Sequence, residues 1–347
     1  MSEKHPLVSV VIVNWNGKHF LVPCLESVFK SDYKKIEVIV VDCASKDGSA
    51  EFIRKNYPKV RLIEFKEDPG FDFANDYGIR VAKGRYILML NNDVVLPPDA
   101  ISRLVEVLKE DEYSVVLPVE CTWKGTLRGK GNYANWIRLP IILSNVVYKF
   151  LNKIKLIKHI KSEPLYIGIP CTMLKKDLYM KYPIDIAFGF YEDVEWGLRL
   201  KLMGVKFRIT EDTCFYHKGG GSSKNSPKEA YFKARSILAA HYIAFGSHTL
   251  ILLSPLFVYM LIENIIYYLI IGCIGCIKAY FLGILDFIRT LEHWKKRRRT
   301  VQATRKIGDG KILRDYLLSR IYVKECRTNV CGKYFKDIDK KFKISSL

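Results

Sequence analysis

One stretch of the sequence decides the fold: Tyr86-Ile87-Leu88-Met89-Leu90-Asn91-Asn92-Asp93. Its first five residues are apolar and predict a buried strand, and the polar residues after them predict the end of that strand. Open parallel sheets bind ligands beyond the carboxyl ends of their strands. Because a carboxylate at that position can hold a hard cation, Asp93 is the first candidate ligand-binding residue.

Short β-branched runs alternate with helical patterns over residues 7–120, which predicts an α/β fold with a mostly parallel sheet and helices on both faces. The predicted strands are Val8–Asn14, Glu37–Asp42, Val60–Phe65, Tyr86–Leu90 and Val115–Val119. The predicted helices are Leu21–Lys30, Ser49–Asn56, Phe71–Ala82 and Pro98–Lys109. Asn14, Asp42 and Asp93 then all lie at strand ends.

The formal net charge of +20 is concentrated at one end of the chain. Residues 289–347 contain 18 Lys and Arg but only 6 Asp and Glu. A basic region of this kind can bind nucleic acid. Here it follows the most apolar segment of the chain, so an anionic membrane surface is the expected partner and nucleic acid is not.

The apolar segment runs from Thr249 to Phe287 and exceeds the roughly 20 residues that one membrane crossing needs. A single crossing would separate the basic cluster Lys295–Arg299 from the preceding domain, against the positive-inside rule. We therefore expect a helical hairpin that turns near residues 263–268. A pair of helices lying in the membrane interface and an ordinary soluble helix pair remain alternatives.

A second apolar and basic stretch lies between Leu139 and Lys161, where apolar residues recur at helical spacing among lysines. This pattern is typical of an amphipathic helix on a bilayer surface. A helix that packs on the core with a solvated basic face is equally compatible with it.

The nine cysteines show no framework spacing, so we expect unpaired thiols in a reducing compartment. Cys273 and Cys276 have the spacing of a redox or zinc motif but lack a second ligand pair nearby, which argues against zinc. The sequence begins without the apolar core of a signal peptide. The catalytic portion is therefore expected on the cytoplasmic side of the cell membrane.

Several separated motifs together resemble one family. They are Val8-Ser9-Val10-Val11-Ile12-Val13-Asn14-Trp15-Asn16-Gly17, Val40-Val41-Asp42-Cys43-Ala44-Ser45-Lys46-Asp47-Gly48, Phe71-Asp72-Phe73-Ala74-Asn75-Asp76-Tyr77-Gly78, Asn91-Asn92-Asp93, Phe190-Tyr191-Glu192-Asp193-Val194-Glu195-Trp196 and Phe215-Tyr216-His217. Their order and spacing over about residues 6–240 resemble the GT-A fold, family-2 inverting glycosyltransferases, and especially the rhamnosyltransferase-like and galactofuranosyltransferase-like branch.

On the donor side, the resemblance implies that Asp93 and His217 hold a divalent cation on the diphosphate of a nucleotide-diphosphate sugar. An imidazole ligand suits Mn²⁺ better than Mg²⁺, although either could serve. The family motif often has more acids where this chain has Asn91 and Asn92, so weaker metal binding is expected. The resemblance also gives the donor pocket four further residues: Asn14, Asp42, Asn75 and Lys218.

On the acceptor side, the resemblance assigns the catalytic base to Asp193 and acceptor positioning to Glu192. An inverting transfer needs a base within hydrogen-bond reach of the attacking hydroxyl, so one carboxylate suffices. Both acids would begin a helix, whose positive end would help keep them ionised. Simple capping of that helix predicts the same two residue types.

These interpretations divide the chain into a GT-A domain over residues 1–240 with an amphipathic insertion at 137–162, a membrane-anchoring hairpin at 241–290 and a basic tail at 291–347. The expected activity is metal-dependent hexosyl or deoxyhexosyl transfer to a hydroxyl of a glycan, such as a lipid-linked one. A transferase that extends a polysaccharide, and a catalytically inactive membrane scaffold of the same fold, remain alternatives.

Overall fold

The computed structural model describes residues 5–110, 112–124, 127–129, 168–189, 191–219, 226–315 and 330–343. The amphipathic stretch predicted between Leu139 and Lys161 lies outside these residues, as does the predicted insertion at 137–162.

The described strands form one mixed sheet in the order β3-β2-β1-β4-β8-β6-β9-β5, with β7 paired to β6. Their bounds are β1 Val8–Asn14, β2 Ile36–Cys43, β3 Arg61–Phe65, β4 Tyr86–Asn91, β5 Val94–Val95, β6 Val115–Thr122, β7 Leu127–Gly129, β8 Cys171–Lys175 and β9 Phe207–His217. Strands β1 to β4 are parallel to one another, as predicted. Strand β8 lies antiparallel between β4 and β6, which the sequence pattern did not predict.

Helices cover both faces of the sheet. The first set comprises α1 Lys18–Phe29, α2 Ser49–Asn56, α3 Phe71–Val81, α4 Ala100–Lys109, α5 Lys176–Lys181 and α6 Glu192–Leu202. Apolar residues of α1, α2 and α4 pack in one buried cluster, whereas those of α3, α5 and α6 pack in a second. Alternate residues of β1 enter these two clusters, because successive strand side chains point to opposite faces.

The remaining labelled helices are α7 Pro227–Ala244, α8 Ser247–Ile270, α9 Ile274–Arg289, α10 Leu291–Thr304 and α11 Val330–Phe342, and residues 309–315 are also helical. Helix α7 continues through residue 240, and both α9 and α10 pack against it. The predicted division at residue 240 therefore falls inside a helix, and the division into domains stays a prediction. The last helix returns to the sheet, where Ile338 is buried in the core.

The predicted hairpin is present, but its turn is not near residues 263–268. Helix α8 continues to Ile270, and the turn lies at residues 271–273. Gly272 has a φ of 70° there, a left-handed conformation that glycine adopts without strain. The polar residue Asn264 does not interrupt α8, because its amide donates to the carbonyl of Met260 within the helix. Among the described residues, α8 alone is long and apolar enough to cross a membrane.

The expectation of unpaired cysteines is wrong for part of the chain. Cys273 and Cys276 form a disulfide at the start of α9, and Cys121 is also disulfide-bonded. Four other described cysteines are free and buried: Cys24, Cys43, Cys171 and Cys214.

Candidate active site

A chain of hydrogen bonds joins the carboxyl ends of three neighbouring strands. The Asn14 amide, at the end of β1, donates to Asp42 Oδ2 of β2 over 2.9 Å. The Asn14 amide oxygen accepts from Asn92 Nδ2, just after β4, over 2.8 Å. Asn14 and Asp42 are paired across the parallel strands, so the register places them side by side. The structure thus brings these predicted donor-site residues together.

The hydrogen bonds at these strand ends explain why residue 92 can be an asparagine. Because Asn14 presents its carbonyl oxygen to residue 92, that residue must donate a hydrogen bond, and an ionised aspartate cannot. Gly17 allows the close approach, since a Cβ atom there would lie 2.1 Å from Asn92 Nδ2. The substitution of acid by amide is therefore accommodated by the structure.

Asp42 is almost fully buried, and both of its oxygens have partners within the protein. Oδ1 accepts from the Ser45 amide over 2.9 Å, and Oδ2 accepts from Asn14. A carboxylate retains further lone pairs for a ligand. The base-binding role of Asp42 stays a prediction. Asp47, in contrast, accepts from the amides of Lys18 and Ser49, which fits the structural role that Asp-Gly turns commonly have.

Asp93 and His217 lie next to each other although they are far apart in sequence. The antiparallel pairing of β5 with β9 places Val94 opposite His217. As a result, His217 Nε2 is 3.2 Å from Asp93 Oδ1, and both side chains are mostly buried. The backbone amide of Gly219 donates to Asp93 Oδ2 over 3.2 Å.

Glu120 completes this cluster, although it was not among the predicted site residues. Its Oε1 lies 2.8 Å from His217 Nδ1. Histidine ligands commonly bond a carboxylate through the second ring nitrogen, which fixes the ring and its tautomer. Glu120 is on β6, whose register with β9 pairs Thr122 with His217. That pairing depends on long-range topology, so nothing local in the sequence indicated it.

The protonation of the cluster follows from these contacts. Burial disfavours a charged imidazole, but hydrogen bonds to Asp93 and Glu120 outweigh it and raise the pKa of His217 to about 9. Burial likewise opposes ionisation of Asp93, yet its bonds with His217 and the Gly219 amide lower its pKa. A cation is therefore favoured between these carboxylates.

The donor set fits a divalent cation. Asp93 offers a carboxylate oxygen and His217 an imidazole nitrogen, a mixed set that suits Mn²⁺. The described residues contain no group of three or more such side chains arranged around a metal position. Two protein ligands would therefore need further oxygens from a bound donor.

Of the other predicted donor-site residues, Lys218 contacts this cluster through its backbone. The Lys218 amide donates to the carbonyl of Asp93 over 3.2 Å, and its Nζ lies 5.2 Å from the centre of the Trp123 ring. Asn91 is the last residue of β4. Asn75 is buried in α3, where its amide donates to the carbonyl of Phe71. These roles in donor binding stay predictions.

Glu192 and Asp193 form a second acidic group at the start of α6, together with Asp72 in the first turn of α3. Asp72 and Glu192 are buried, and Asp193 is partly exposed. Neither carboxylate oxygen of Asp72 has a hydrogen-bond partner within 3.5 Å among the described residues. The acids therefore face one another without a compensating cation of the kind that His217 provides.

The expectation that the helix N-terminus keeps these acids ionised is wrong. Burial raises the pKa of Asp72 to about 7 and that of Asp193 to about 8, with a further increase in Asp193 from the charge of Glu192. Burial and the neighbouring Asp72 also raise the pKa of Glu192 well above its ordinary value. Desolvation thus outweighs the helix dipole, which contributes about 0.3–1 kcal/mol at exposed sites.

The structure does not join the two acidic groups by a direct contact. Within the described residues, Asp193 makes no hydrogen bond or ion pair with Asp93 or His217. Their convergence on one substrate pocket stays a prediction. Nearby, Trp196 is fully buried against Tyr179, so this ring packs in the core.

Comparison with known proteins agrees with this architecture. Residues 9–181, about half of the chain, match the family described as glycosyl transferase family 2. The glycosyltransferase GlyG of Streptococcus pneumoniae is 32% identical over 134 residues, which cover 38% of this chain and 40% of that protein. The uncharacterised glycosyltransferase YibD of Escherichia coli is 23% identical over 212 residues, or 60% of each chain. The chain thus spans less than two thirds of these relatives.

Solved structures share the fold. The mannosyltransferase PcManGT of Pyrobaculum calidifontis, solved with GDP-Man and Mn²⁺, has a TM-score of 0.51 and 16% identity over 91% of this chain and 87% of that one. GalNAc-T7, solved with UDP, GalNAc and Mn²⁺, has a TM-score of 0.50 and 16% identity over 69% of this chain and 52% of that one. The strand-end site, the sheet and the match over residues 9–181 together make this chain a member of glycosyltransferase family 2, with a GT-A fold.

Proposed function

We propose that the protein is an inverting glycosyltransferase that uses a nucleotide-diphosphate sugar and a divalent cation. The observation that carries this proposal is the contact of Asp93 with His217, oriented by Glu120, beside the hydrogen-bonded strand ends. The family match supports the reaction class, and the two structural neighbours solved with Mn²⁺ support the choice of cation.

The donor would bind at the strand ends. Asp93 and His217 would hold the cation, which supplies charge stabilisation to the departing diphosphate without proton transfer. Glu120 would keep the His217 ring in place and leave Nε2 directed toward Asp93. Asn14, Asp42 and Asn92 form the rigid edge against which the nucleoside would lie.

The acceptor hydroxyl would bind beside Asp193. Its oxygen forms the new bond to the anomeric carbon while the bond from that carbon to the diphosphate oxygen breaks. The proton of the hydroxyl passes to Asp193, and the nucleoside diphosphate leaves. A raised pKa suits Asp193 to this role, because a general base is most effective when its pKa is close to the working pH.

The acceptor would be a glycan on a membrane lipid at the cytoplasmic side of the cell membrane. Support comes from the exposed apolar residues of α8 and α9 and the cations of α10, which follow the catalytic domain directly. Holding enzyme and lipid-linked acceptor on one surface raises their effective concentration. A panel of nucleotide sugars identifies the sugar and the nucleotide of the donor.

A panel of nucleotide sugars tests the proposal, with donor consumption and nucleoside diphosphate release measured in Mn²⁺ and in chelator. We expect one donor to be hydrolysed slowly by the full chain in Mn²⁺ only, and faster with a lipid-linked acceptor. An inactive scaffold would consume no donor, and the Asp193→Asn variant gives the background rate of donor consumption for comparison. A polysaccharide-extending transferase would add many sugars to one acceptor, where we expect one.

A further inference from the structure

The outer surfaces of α8 and α9 form an apolar face that the rest of the described chain leaves uncovered. Its residues include six that are 46–78% exposed: Ile251, Ile262, Ile270, Leu282, Leu285 and Ile288. Soluble monomers rarely expose a contiguous apolar patch larger than a few hundred Å². This apolar face therefore needs a partner.

The opposite side of α9 is fixed to the catalytic domain. Gly283 packs so closely on α7 that a Cβ atom would lie 2.2 Å from the carbonyl oxygen of Tyr231. The Tyr231 hydroxyl donates to Asp286 over 2.7 Å, and Arg235 lies 3.5 Å from the same carboxylate. Since Cys276 is also fully buried on this side, α9 contacts the domain along most of its length.

Helix α8 is held in the same way on its inner side. Met260 is buried with Ile237 of α7, and the Tyr268 ring lies 5.7 Å from the Tyr280 ring of α9. Asn264, between them, is also buried. Neither helix therefore extends away from the domain as a free crossing segment would.

The geometry of α9 is incompatible with a crossing. Its 16 residues span about 24 Å, less than the roughly 30 Å of a bilayer core. Lys278 is exposed only about one turn from the tip of the hairpin. A crossing would place the charged Lys278 side chain in hydrocarbon, which is unfavourable. It would also strip Asp286 of its partners on α7.

We infer that α8 and α9 lie flat in one leaflet of an anionic bilayer, with the apolar face among the upper acyl chains. This inference rests on the proposed function, which places the acceptor in the same membrane. On α9, Lys278 and Arg289 lie three helical turns apart within the exposed side, between Leu282 and Leu285 around the helix. In a flat helix both reach the headgroups at the same depth, and their alkyl stems remain in apolar surroundings.

Charge decides between lipid and a second copy of the chain as the partner. Lys296 and Arg299 are exposed on α10, directly after the apolar face. An interface between two copies would bury Lys278 and Arg289 without acidic partners, because no acid of α8 or α9 is exposed. An anionic membrane surface attracts all four cations instead.

Depth measurements on the full chain test the orientation. A fluorescent non-natural amino acid is placed singly at positions 251, 262, 270 and 285, and quenching by lipids brominated at shallow or deep acyl positions is compared in phosphatidylglycerol vesicles. We expect the same shallow depth at all four positions. A crossing α8 would spread positions 251 and 270 over about 28 Å and give graded quenching, which would overturn the inference.

Substitution tests the apolar face itself. Ile262→Glu combined with Leu285→Glu should lower partition onto phosphatidylglycerol vesicles at least tenfold, whereas Ile186→Glu, at an exposed apolar residue outside the face, should not. Equal binding by both variants, or a dimer of the wild type in light scattering without lipid, would contradict the inference. Donor hydrolysis in solution is read separately: its absence in the wild type would reject the proposed function and leave the vesicle result standing.

Discussion

Two buried acidic groups differ in what balances their charge. Asp93 and Glu120 lie on either side of a histidine, and each carboxylate is within 3.2 Å of one of its ring nitrogens. Asp72, Glu192 and Asp193 lie together, and no described residue forms an ion pair with them; their pKa values rise because of burial. The first arrangement suits a site that binds a cation, and the second suits a site that takes up a proton. This difference supports the proposal that the donor binds at the first group and the acceptor at the second.

The largest expected effect comes from removing the base. Asp193→Asn should lower transfer by about 10²–10⁴-fold, the usual contribution of general base catalysis, while Mn²⁺-dependent donor binding persists. Initial rates and donor titrations by calorimetry measure the two quantities. Asp177→Asn is the matched control, since Asp177 is an exposed acid in the first turn of another helix. A loss of donor binding in Asp193→Asn would remove the distinction between the groups.

Removing the cation ligand, unlike removing the base, should affect donor binding as well as transfer. Asp93→Asn is expected to abolish Mn²⁺-dependent donor binding and to lower transfer by about 100-fold or more, because the cation stabilises the leaving diphosphate. Thermal shift with donor, with and without Mn²⁺, provides the readout. If Asp93→Asn retained the metal-dependent shift, the cation would bind elsewhere.

A smaller effect should follow from Glu120→Gln, which keeps the size of the side chain but weakens the orientation of His217. Mn²⁺ affinity in the presence of donor should fall about 10-fold, within the range for partners of metal-binding histidines. Glu112→Gln, at an exposed residue paired with Lys206, is the control. Unchanged affinity in Glu120→Gln would mean that Glu120 only packs against the ring.

The pH dependence of transfer sharpens the same comparison. Asp193 must be ionised to accept a proton, and its pKa is about 8. The kcat/KM value should therefore increase with pH up to about 8 and then level off. Replacing Glu192 with Gln removes the charge that adds to the raised pKa of Asp193 and should move the rise in kcat/KM to lower pH. A rate that is already constant from pH 5 would show that Asp193 is ionised there.

The smallest expected effect concerns stability. The folded-state pKa of Asp72, about 7, exceeds its ordinary value of 3.8, so its favourable contribution is lost as the pH rises through 7. Asp72→Asn should then stabilise the protein by about 1–3 kcal/mol at pH 8.5 and less at pH 5, as measured by urea unfolding. Asp76→Asn on the same helix should destabilise, because Asp76 pairs with Arg80 and Tyr179.

The sequence predicted the elements that depend on local pattern. Alternation of strands and helices located β1 to β4 and α1 to α4, and the strand ends located Asn14, Asp42 and Asp93. Contacts made by distant pairing were harder to predict. Glu120 reaches His217 only through the register of β6 with β9, and β8 enters the sheet antiparallel. The hairpin turn was misplaced because polar residues suggested a break, whereas the glycine at position 272 makes it.

The sequence pattern also did not predict the raised pKa values of the second acidic group, Asp72, Glu192 and Asp193. Two acids at a helix start predict ionised carboxylates, and only the burial of Asp72 and Glu192 reverses that expectation. Burial depends on how α3 and α6 pack on the same face of the sheet. No local motif encodes that packing.

The central claim is that Asp93 and His217 hold the cation on the donor while Asp193 serves the acceptor in the same pocket. Anomalous scattering from Mn²⁺ in crystals grown with donor tests it most directly. We predict one Mn²⁺ peak coordinated by Asp93 and His217, with Asp193 facing the anomeric carbon from the side opposite the diphosphate. A peak on the group of Glu192 and Asp193, or a donor remote from Asp193, would contradict the account.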